Sequence, residues 1–390
     1  MKIAQVVSTP PFAWETGGCA RVTYEISKAL SRHGHEVQLL TLDLQNSNLN
    51  LTGKGYCKET IDGIDVYKFR HLGKNYTKKN KIFVSPDLIR YLKHNIESYD
   101  VVHLQDLISF QAVGTSYYCK KNHVPYVLTT HGSVPWLLGR RLPNKLYSNI
   151  GRWVCDNAAM VLALNDTEVE LYKRIGIESS KITVIPNGIN VSDYTHLPDA
   201  GMFKSKYRIP SNDKIILYLG RVHESKGIDL LVDSFKEIAK KRNDVKLVIA
   251  GPDDGFLSRL IDSVDLSDIN DSVIFTGYIS HEDKLAALRD AAVLVIPKFT
   301  GFPVTFLESC ICGTPIVTTN AGDCLDWVKN AGYVVKYDKR QMAQVLTCIL
   351  DDPSLRQTLG ENAWKLAKTE FNYEIIIGEI EKIYISCISM

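Results

Sequence analysis

The sequence predicts an α/β protein made of two doubly wound domains that face each other across a cleft. The first observation is length, because 390 residues exceed what one hydrophobic core usually spans. The second is element order, because short apolar runs typical of buried parallel strands alternate with helical segments. The third is a restart of this βαβ pattern after the polar residues 190–212. We therefore expect a first domain at residues 1–198 and a second at 199–372.

The first half begins with a strand, a glycine-containing loop and an amphipathic helix. Apolar runs predict its strands at residues 1–8, 37–42, 64–69, 100–104, 125–130, 160–164 and 181–186. Helices are expected at residues 20–33, 85–98 and 168–175. In the first helix the apolar residues from Val22 to Leu30 recur at helical spacing, and Gly34 is expected to end it.

The second half repeats this alternation. Strands are predicted at residues 214–219, 245–250, 272–276, 291–297, 315–319 and 333–335. Helices are predicted at residues 228–241, 257–263, 281–290, 340–350, 354–370 and 373–388. Between two of these strands, residues 297–322 read as a Gly-Phe-Pro turn and a short helix that carries Glu308. Such a strand–loop–helix–strand segment is typical of a site at the carboxyl edge of a parallel sheet.

Composition indicates a cytoplasmic globular protein. No apolar run approaches the roughly 18 residues of a membrane span, and Pro10 comes too early for a signal peptide. The nine cysteines show no CxxC pair and no zinc-ligand spacing, which favours free thiols in a reducing compartment. With a net charge of only +2, a nucleic-acid partner is not expected.

The charges are unevenly distributed. Residues 1–198 carry 23 Lys and Arg against 17 Asp and Glu, whereas residues 199–390 carry 23 against 27. Residues 73–81 hold four lysines, and residues 137–155 mix four basic residues with Leu, Tyr, Ile and Trp. Pro143 and two glycines argue against one long amphipathic helix there. The basic half could face an anionic acceptor or make peripheral contact with the inner face of a membrane, or this could be ordinary surface variation.

Two features of the first half lie where open α/β sheets bind ligands. Gly17 and Gly18 precede the first helix, so the backbone there could approach a phosphate, or they could form a plain loop. The GxGxxG spacing of dinucleotide-binding proteins is absent. His131 directly follows a predicted strand and is expected at the carboxyl edge of the sheet.

The second half supplies charged side chains at the corresponding edge. Arg221 and Lys226 lie in the loop after its first strand, where two cations beside a helix N-terminus suit a diphosphate. Glu308 lies one turn into its short helix and could accept hydrogen bonds from ligand hydroxyls. Taken singly, each of these residues could also be a solvated surface charge.

Taken in order, these segments resemble the retaining family 4 glycosyltransferases of the GT-B fold, also described as glycosyl transferases group 1. In the second half the resemblance rests on Gly220-Arg221, Lys226-Gly227 and the segments 251–253, 275–280 and 301–315. In the first half it rests on Gly17-Gly18 and the segments 100–104, 130–132 and 185–190. The resemblance covers nearly the whole chain and implies two Rossmann-like domains.

The resemblance implies roles for residues of the second half. Arg221 and Lys226 would bind the diphosphate of a nucleotide sugar and act in catalysis. Glu308 would hold the ribose hydroxyls. The other implied donor-binding positions are Tyr278 and Ile279 near the base, and Thr300, Phe302, Val304 and Thr305 in the loop before and within the short helix.

The resemblance also implies roles for the first half. Gly17 and Gly18 would approach the donor phosphate, and His131 would reach the donor sugar near the reacting carbon. The last helix, within residues 373–390, would pack back on the first domain. Such enzymes need no metal or other cofactor, which agrees with the lack of any Asp-x-Asp in the sequence. Transfer would retain the configuration of the sugar.

Two positions depart from the family pattern. The family has two glutamates eight positions apart, but Thr300 stands where the first would be. Pro303 replaces a glycine and removes one backbone N–H that could donate to the sugar or phosphate. These changes predict a different donor sugar, another residue as acceptor, or poor turnover.

The sequence therefore predicts a retaining, metal-independent transferase that moves a sugar from a nucleotide-diphosphate sugar to a glycan, lipid-linked or small-molecule acceptor, as in the biosynthesis of cell-surface polysaccharide or glycolipid. One alternative is a catalytically weak nucleotide-sugar-binding protein or accessory subunit. Another is a different GT-B enzyme such as a nucleotide-sugar epimerase. The nucleotide, the sugar and the acceptor are not encoded in any motif that can be read directly.

Overall fold

The computed structural model of the chain describes residues 1–9, 18–43, 55–72, 83–138, 142–263, 269–323 and 325–390. It divides into two compact units. The first comprises Met1–Gly188 with Tyr373–Met390, and the second comprises Ile189–Asn372. Residues 189–198, which the sequence analysis assigns to the first domain, thus group with the second unit.

The first unit is built on a mostly parallel sheet. Its strands are β1 (Lys2–Val6), β2 (Glu36–Leu42), β3 (Tyr56–Ile61), β4 (Ile64–Phe69), β5 (Val101–Leu104), β6 (Tyr126–Thr129), β7 (Met160–Ala163) and β8 (Ile182–Val184). They lie in the order β3-β4-β2-β1-β5-β6-β7-β8. Successive strands are added on one side of β1 up to β4 and on the other side from β5 onward. This reversal makes the unit doubly wound.

Helices cover this sheet. They are α1 (Gly18–Arg32), α2 (Pro86–Asn95), α3 (Phe110–Lys121), α4 (Leu142–Asn157) and α5 (Asp166–Arg174), together with α14 (Tyr373–Ile388) from the end of the chain. Side chains at Leu40, Val102 and Leu128 are fully buried and contribute to a core that strands and helices share. Near-continuous apolar strands of this kind are expected where helices cover both faces of a parallel sheet.

Two elements of the first unit differ from the sequence-based expectation. Strand β3 was not predicted, and it pairs antiparallel with β4 at the edge of the sheet. Half of its residues are polar or charged, because an edge strand needs no continuous apolar run. Helix α4 is continuous over 16 residues despite Pro143. Pro143 lies in the first helical turn, where a backbone N–H has no intrahelical partner to lose.

The second unit contains a fully parallel sheet. Its strands are β9 (Lys214–Leu219), β10 (Val245–Ala250), β11 (Val273–Gly277), β12 (Ala291–Ile296), β13 (Ile316–Thr319) and β14 (Gly332–Val335). Their order is β11-β10-β9-β12-β13-β14, so the winding reverses between β9 and β12. Both units are Rossmann-like, which confirms the predicted fold class.

The helices of the second unit follow the predicted alternation with two additions. They are α6 (Met202–Lys206), α7 (Ile228–Ala239), α8 (Leu257–Ser263), α9 (His281–Asp290), α10 (Val304–Ile311), α11 (Val328–Ala331), α12 (Lys339–Asp351) and α13 (Pro353–Thr369). Helix α6 lies in the stretch predicted as a polar linker, where Phe203 is buried and Asp290 accepts hydrogen bonds from the backbone of Gly201 and Lys204. Helices α6 and α11 have only five and four residues, too few to show a clear amphipathic period.

The last helix belongs to the first unit. Helix α14 packs against α1, where Glu381 lies 3.0 Å from Nδ1 of His33 and 2.7 Å from Nε2 of His35. Further along the helix, the buried Tyr384 hydroxyl is 2.6 Å from Nδ1 of His103 on β5. These polar contacts fix the position of α14 against the sheet in addition to its apolar packing.

Glycines at the carboxyl ends of β9 and β10 allow the following loops to touch. The Gly220 N–H donates to the Ala250 carbonyl at 3.0 Å, and the Gly251 N–H donates to the Gly277 carbonyl at 2.8 Å. A Cβ atom on Gly251 would lie 1.9 Å from the Gly220 carbonyl oxygen, and its φ of +141° is unfavourable for other residues. Only glycine fits at this position.

We expect Gly251→Ala to lower the free energy of unfolding of the second unit by at least about 2 kcal/mol, because the added methyl group meets backbone that cannot yield. Urea unfolding measures the change. The control is Gly378→Ala within α14, where a Cβ meets nothing within 4 Å and alanine should be neutral or stabilising. Equal stability of Gly251→Ala and the natural chain would contradict the close approach.

Candidate active site

The loops after β9 and β12 form the candidate site of the second unit. These strands are neighbours, and the chain leaves them toward opposite sides of the sheet. Open α/β sheets bind ligands at this point, where the diverging loops leave a crevice at the carboxyl ends of the strands. The Lys298 N–H donates to the Lys226 carbonyl at 3.2 Å, so the two loops are in direct contact.

Arg221 and Lys226 both lie in the loop after β9. The Arg221 side chain is 45% exposed, and its guanidinium pairs with the Asp254 carboxylate. Lys226 is less exposed, and burial together with the nearby Arg221 guanidinium lowers the pKa of its amine. Two neighbouring cations, one of them partly desolvated, create a local positive potential that favours an anionic ligand.

The loop after β12 is held by hydrogen bonds to the last residue of β13 and to the segment that follows it. The Thr319 hydroxyl donates to the Pro297 carbonyl at 2.6 Å. Asp323 accepts from the Gly301 N–H at 2.5 Å, and its own N–H donates to the Phe299 carbonyl at 3.2 Å. Both sides of the turn are therefore fixed through its backbone, although it lies outside any regular element.

An aromatic cluster anchors the start of α10. Phe302, only 5% exposed, stacks on Trp327 with ring centroids 5.8 Å apart and also contacts Phe371 at 5.4 Å. Its side chain is thus part of the core, and any contact of Phe302 with a donor would involve its backbone. The half-buried Val304 and Thr305 follow in the first helical turn, where backbone N–H groups have no intrahelical acceptor. Pro303 precedes them as the N-cap without a side-chain cap.

Thr300 is exposed at the tip of this turn. The backbone on either side of it is fixed by Asp323, whose N–H donates to the Phe299 carbonyl and whose carboxylate accepts from the Gly301 N–H. A substitution at position 300 would therefore change a side chain at the surface of the loop rather than the path of the chain.

Glu308 is almost fully buried, with 2% of its side chain exposed. The Lys284 amine on α9 lies 2.5 Å from its Oε1 and is itself only 16% exposed. A buried carboxylate needs such a partner, because removing an ion from water without compensation costs several kcal/mol. The sequence analysis missed Lys284, because it is 24 residues from Glu308 and helical periodicity alone does not show its contact.

Helix α9 also connects Glu308 to the residues predicted to lie near the base. Tyr278 is 59% exposed and Ile279 is partly exposed, and both follow the end of β11. Ser280 then caps α9 by accepting a hydrogen bond from the Asp283 N–H at 3.0 Å. Lys284 comes one turn into the helix, so α9 places Tyr278, Ile279 and the Glu308 contact near the same edge of the sheet.

In the first unit, His131 lies in a tight turn after β6. The Ser133 N–H donates to the Thr130 carbonyl at 3.1 Å, and the φ angles of His131 and Gly132 are +50° and +81°. Two consecutive positive φ values define a type I′ turn. Histidine is uncommon in this region, so neighbouring contacts must hold it there.

The ring of His131 belongs to a network of buried polar side chains. Its Nε2 lies 2.8 Å from Oε1 of Gln105, whose amide nitrogen donates to Oε1 of Gln5 at 2.9 Å. Since Gln105 presents its oxygen to the ring, Nε2 of His131 carries the proton and Nδ1 is the acceptor. Burial lowers the pKa of His131 to about 4, so the ring is neutral at pH 7.

The predicted glycine pair is only partly described. Gly17 lies outside the described residues, and Gly18 is the first residue of α1. A Cβ on Gly18 would meet nothing within 4 Å, so no described group fills the space beside it. The lysine-rich residues 73–81 also lie outside the described part of the chain.

The described residues were also searched for a metal centre and for membrane spans. No group of three or more His, Cys, Asp or Glu side chains suited to a metal ion occurs among them. None of the described helices is long and apolar enough to cross a membrane.

Two family models match the chain in succession. The model for Glycosyltransferase Family 4 matches residues 16–193, and the model for Glycosyl transferases group 1 matches residues 201–366. The boundary between the matches falls close to the boundary between the structural units. The first half of the chain belongs to Glycosyltransferase Family 4 and the second half to the glycosyl transferases group 1. The chain is a GT-B glycosyltransferase, which confirms the family resemblance stated from the sequence.

Individual relatives agree with this family. The glycosyltransferase is 25% identical over 402 residues to an uncharacterized glycosyltransferase from Methanocaldococcus jannaschii, with 98% of each chain covered. It is 31% identical over 221 residues to the capsular polysaccharide biosynthesis glycosyltransferase CapM from Staphylococcus aureus, with 53% of this chain and 56% of CapM covered. The structure of Anabaena HepE in complex with UDP and glucose aligns with a TM-score of 0.77 and 16% identity, covering 99% of this chain and 100% of that chain.

We expect Lys284→Met to lower the free energy of unfolding by about 3 kcal/mol, because it leaves the Glu308 carboxylate buried beside an apolar side chain. The double variant Lys284→Met/Glu308→Gln should recover part of this loss. Urea unfolding of the four members of this cycle measures the coupling. The control is Lys206→Met on α6, which removes an exposed ion pair and should have little effect. Its partner, Asp283, lies on α9 next to Lys284. Additive losses in the cycle would contradict the coupling.

The buried His103 predicts a defined pH dependence of stability. Burial, with a smaller contribution from His131, lowers its pKa from 6.5 to about 3. Below pH 6.5 His103 is protonated in the unfolded chain, whereas in the folded chain it stays neutral until the pH falls to about 3. The stability contributed by neutral His103 is thus complete above pH 6.5 and is lost as the pH falls toward 3. This amounts to about 2 kcal/mol between pH 7 and pH 5.

His103→Gln should remove this part of the pH dependence while lowering stability at pH 7. Urea unfolding at several pH values measures both effects. His94→Gln serves as the control, because His94 is exposed and its removal should leave the slope unchanged. His131, with a pKa of about 4, should leave a smaller residual slope in His103→Gln, whereas an undiminished slope would show that His103 does not cause the acid sensitivity.

Proposed function

We propose that this glycosyltransferase transfers a sugar from a nucleotide-diphosphate sugar to a glycan, lipid-linked or small-molecule acceptor, without a metal ion and with retention of configuration. One observation carries the proposal most directly. Arg221 and Lys226 lie together at the point where the sheet winding reverses. They lie beside the loop after β12, whose backbone is fixed by a hydrogen bond to the Asp323 carboxylate. Open α/β sheets bind phosphorylated ligands at this position.

The two cations supply what a metal ion supplies in other transferases. Charge develops on the diphosphate as its bond to the sugar breaks, and fixed cations stabilise that charge without reorganisation. Burial and Arg221 lower the pKa of Lys226, and a diphosphate beside it would favour the charged form of the amine. The proposed metal independence also agrees with the lack of an Asp-x-Asp sequence. This chemistry requires no cofactor other than the donor.

The remaining donor contacts follow from the same half of the chain. We assign the ribose hydroxyls to Glu308, whose carboxylate pairs with Lys284 and is oriented by it. The base would lie against Tyr278 and Ile279, since the tyrosine is exposed beside the end of β11. The complex of Anabaena HepE with UDP supports a nucleoside diphosphate as the common part of the donor.

We assign the donor sugar to groups at the N-termini of helices and turns. The backbone of Thr300, Phe302, Val304 and Thr305 would contact its hydroxyls, and the Nδ1 of a neutral His131 would accept one further hydrogen bond. Gly17 and Gly18 would allow close approach of the phosphate. These roles follow from the resemblance, and the accessible backbone of α10 and the tautomer of His131 support them.

Retention would follow from attack on the face from which the diphosphate departs. The acceptor hydroxyl oxygen forms a bond to the anomeric carbon as the bond to the diphosphate oxygen breaks. The released diphosphate oxygen is well placed to take the hydroxyl proton. Arg221 and Lys226 hold that leaving group, so the same two cations serve both donor binding and bond cleavage.

The acceptor and the membrane are linked in this proposal. The excess of basic residues in the first half suits an anionic or membrane-bound acceptor at the inner membrane face. On α3, Phe110 and Tyr117 are 40% and 50% exposed, and the Lys120 amine lies 6.0 Å above the Trp153 ring. Exposed aromatic rings beside lysines are typical of contact with anionic lipid headgroups. The similarity to CapM favours a polysaccharide product.

Thr300 and Pro303 favour a second candidate function. A protein that binds nucleotide sugars but turns them over slowly would explain the loss of the first family glutamate. A threonine hydroxyl is neutral and shorter, and an unpaired sugar hydroxyl would cost about 1–3 kcal/mol. The two candidates share the donor site and differ only in turnover.

The test is a panel of UDP-, GDP- and ADP-sugars offered to the purified protein with and without EDTA. We expect hydrolysis or transfer from one nucleotide class, unchanged by EDTA, with the product anomer identical to that of the donor by NMR. An inverted product would overturn retention, and loss of activity with EDTA would overturn metal independence. Binding without any turnover would favour the second candidate.

We expect Arg221→Ala to weaken binding of the nucleoside diphosphate on the order of 10-fold to 100-fold, because it removes a charge-assisted contact. Calorimetric titration or the thermal shift with the preferred nucleoside diphosphate measures this. Arg340→Ala is the control, since Arg340 is an exposed arginine on α12 of the same unit. Undiminished binding by Arg221→Ala would show that the diphosphate does not bind at this loop.

A further inference from the structure

A buried carboxylate on α5 holds the turn that carries His131. Glu168 is fully buried. Its Oε1 accepts from the Gly132 N–H at 2.6 Å, and its Oε2 accepts from the Leu164 N–H at 2.7 Å. One side chain thus ties the turn after β6 to the backbone after β7. Neither contact could be foreseen from the sequence, where Glu168 reads as a polar residue in the first turn of a helix.

A second side chain of the same helix contacts the other end of the turn. Tyr172 lies one helical turn beyond Glu168, and its hydroxyl is 2.6 Å from Oγ1 of Thr130. It is fully buried as well. Residues four apart face the same side of a helix, so α5 presents both groups to the segment from Thr130 to Gly132. Helix α5 therefore forms hydrogen bonds to the turn on both sides of His131, at Thr130 and at Gly132.

The conformation of the turn explains why such contacts are needed. His131 and Gly132 both have positive φ angles, a conformation that histidine adopts only when its surroundings impose it. The Gly132 N–H points toward Glu168 only in this conformation of the turn. The ring of His131 is then directed to Gln105, which determines its tautomer.

We propose that Glu168 is a positioning residue that holds His131 in the orientation required for sugar transfer, with Tyr172 as its partner. The proposal rests on the role of His131 in the proposed function. Glu168 touches no reacting atom. It acts through the backbone of Gly132, because the carboxylate stabilises the left-handed turn from which the imidazole projects.

The substitution Glu168→Gln tests this assignment. An amide has one acceptor oxygen and a donor NH2 group, so it can satisfy only one of the two backbone N–H groups that Glu168 satisfies. We expect kcat for transfer to fall on the order of 10-fold to 100-fold, because small misplacements of a positioned group have effects of this size. The affinity for the nucleoside diphosphate should change by less than about twofold, since Arg221, Lys226 and Glu308, which are proposed to bind it, lie in the other unit.

The matched control is Glu170→Gln on the same helix. Glu170 is 68% exposed and pairs with Lys173 at 2.8 Å, so its amide should leave kcat unchanged. Tyr172→Phe is a second, milder variant, which removes only the hydroxyl beside Thr130 and preserves the buried ring. It keeps the test decisive if Glu168→Gln does not fold.

A readout independent of turnover is the 15N NMR spectrum of histidine-labelled protein. In the natural chain we expect His131 to show the neutral tautomer protonated at Nε2. In Glu168→Gln or Tyr172→Phe its ring signals should shift, while those of the exposed His94 stay in place. His131→Ala assigns the signal.

The outcomes separate the two proposals. Unchanged kcat and unchanged His131 signals in folded Glu168→Gln and Tyr172→Phe would overturn the positioning role. A fall in kcat accompanied by an equal loss of affinity for the nucleoside diphosphate would also overturn it, because that pattern indicates general damage. If the natural chain transfers no sugar, the proposed function fails, and the NMR spectra alone then decide whether Glu168 positions His131.

Discussion

The candidate donor site depends on close contact between loops at the carboxyl edge of the second sheet. Gly220 and Gly251 approach so closely that no side chain fits between them, and the loop after β9 therefore stays against the loop after β10. On the other side, the Lys226 carbonyl accepts a hydrogen bond from Lys298 in the loop after β12. Arg221 and Lys226 owe their common position to these backbone contacts, since Arg221 lies outside any helix or strand and Lys226 only ends a single 3-10 turn, Glu224–Lys226.

The charges of this site are held at an electrostatic cost. Lys226 is partly buried beside a second cation, and Glu308 is buried almost completely with Lys284 as its ion-pair partner. An empty site of this kind is less stable than an apolar one of the same shape. In the proposed function a bound diphosphate would offset the repulsion between Arg221 and Lys226, so the same arrangement that costs stability would favour an anionic ligand. Activity and stability are thus coupled through the same side chains.

The sequence predicted the strands well, because helix-covered parallel strands must be continuously apolar. It did not predict β3, whose edge position permits polar residues, or α4, whose Pro143 falls where proline is tolerated. The site residues Arg221 and His131 were predicted because they directly follow strands, and chain order then determines their edge of the sheet. Lys284 was missed, because its role depends on a helix–helix contact that periodicity cannot specify.

A hydrogen bond from a glycine N–H to a buried carboxylate fixes one loop in each unit. Asp323 accepts the Gly301 N–H at 2.5 Å in the second unit, and Glu168 accepts the Gly132 N–H at 2.6 Å in the first. In both cases a buried carboxylate from a later element binds the backbone N–H of a glycine just after a strand. Neither acid is therefore available to replace the glutamate that the family has at position 300. If the chain binds a donor sugar as proposed, the acceptor lost at Thr300 comes from elsewhere or is absent, and that exposed position would then help to determine which sugar is bound.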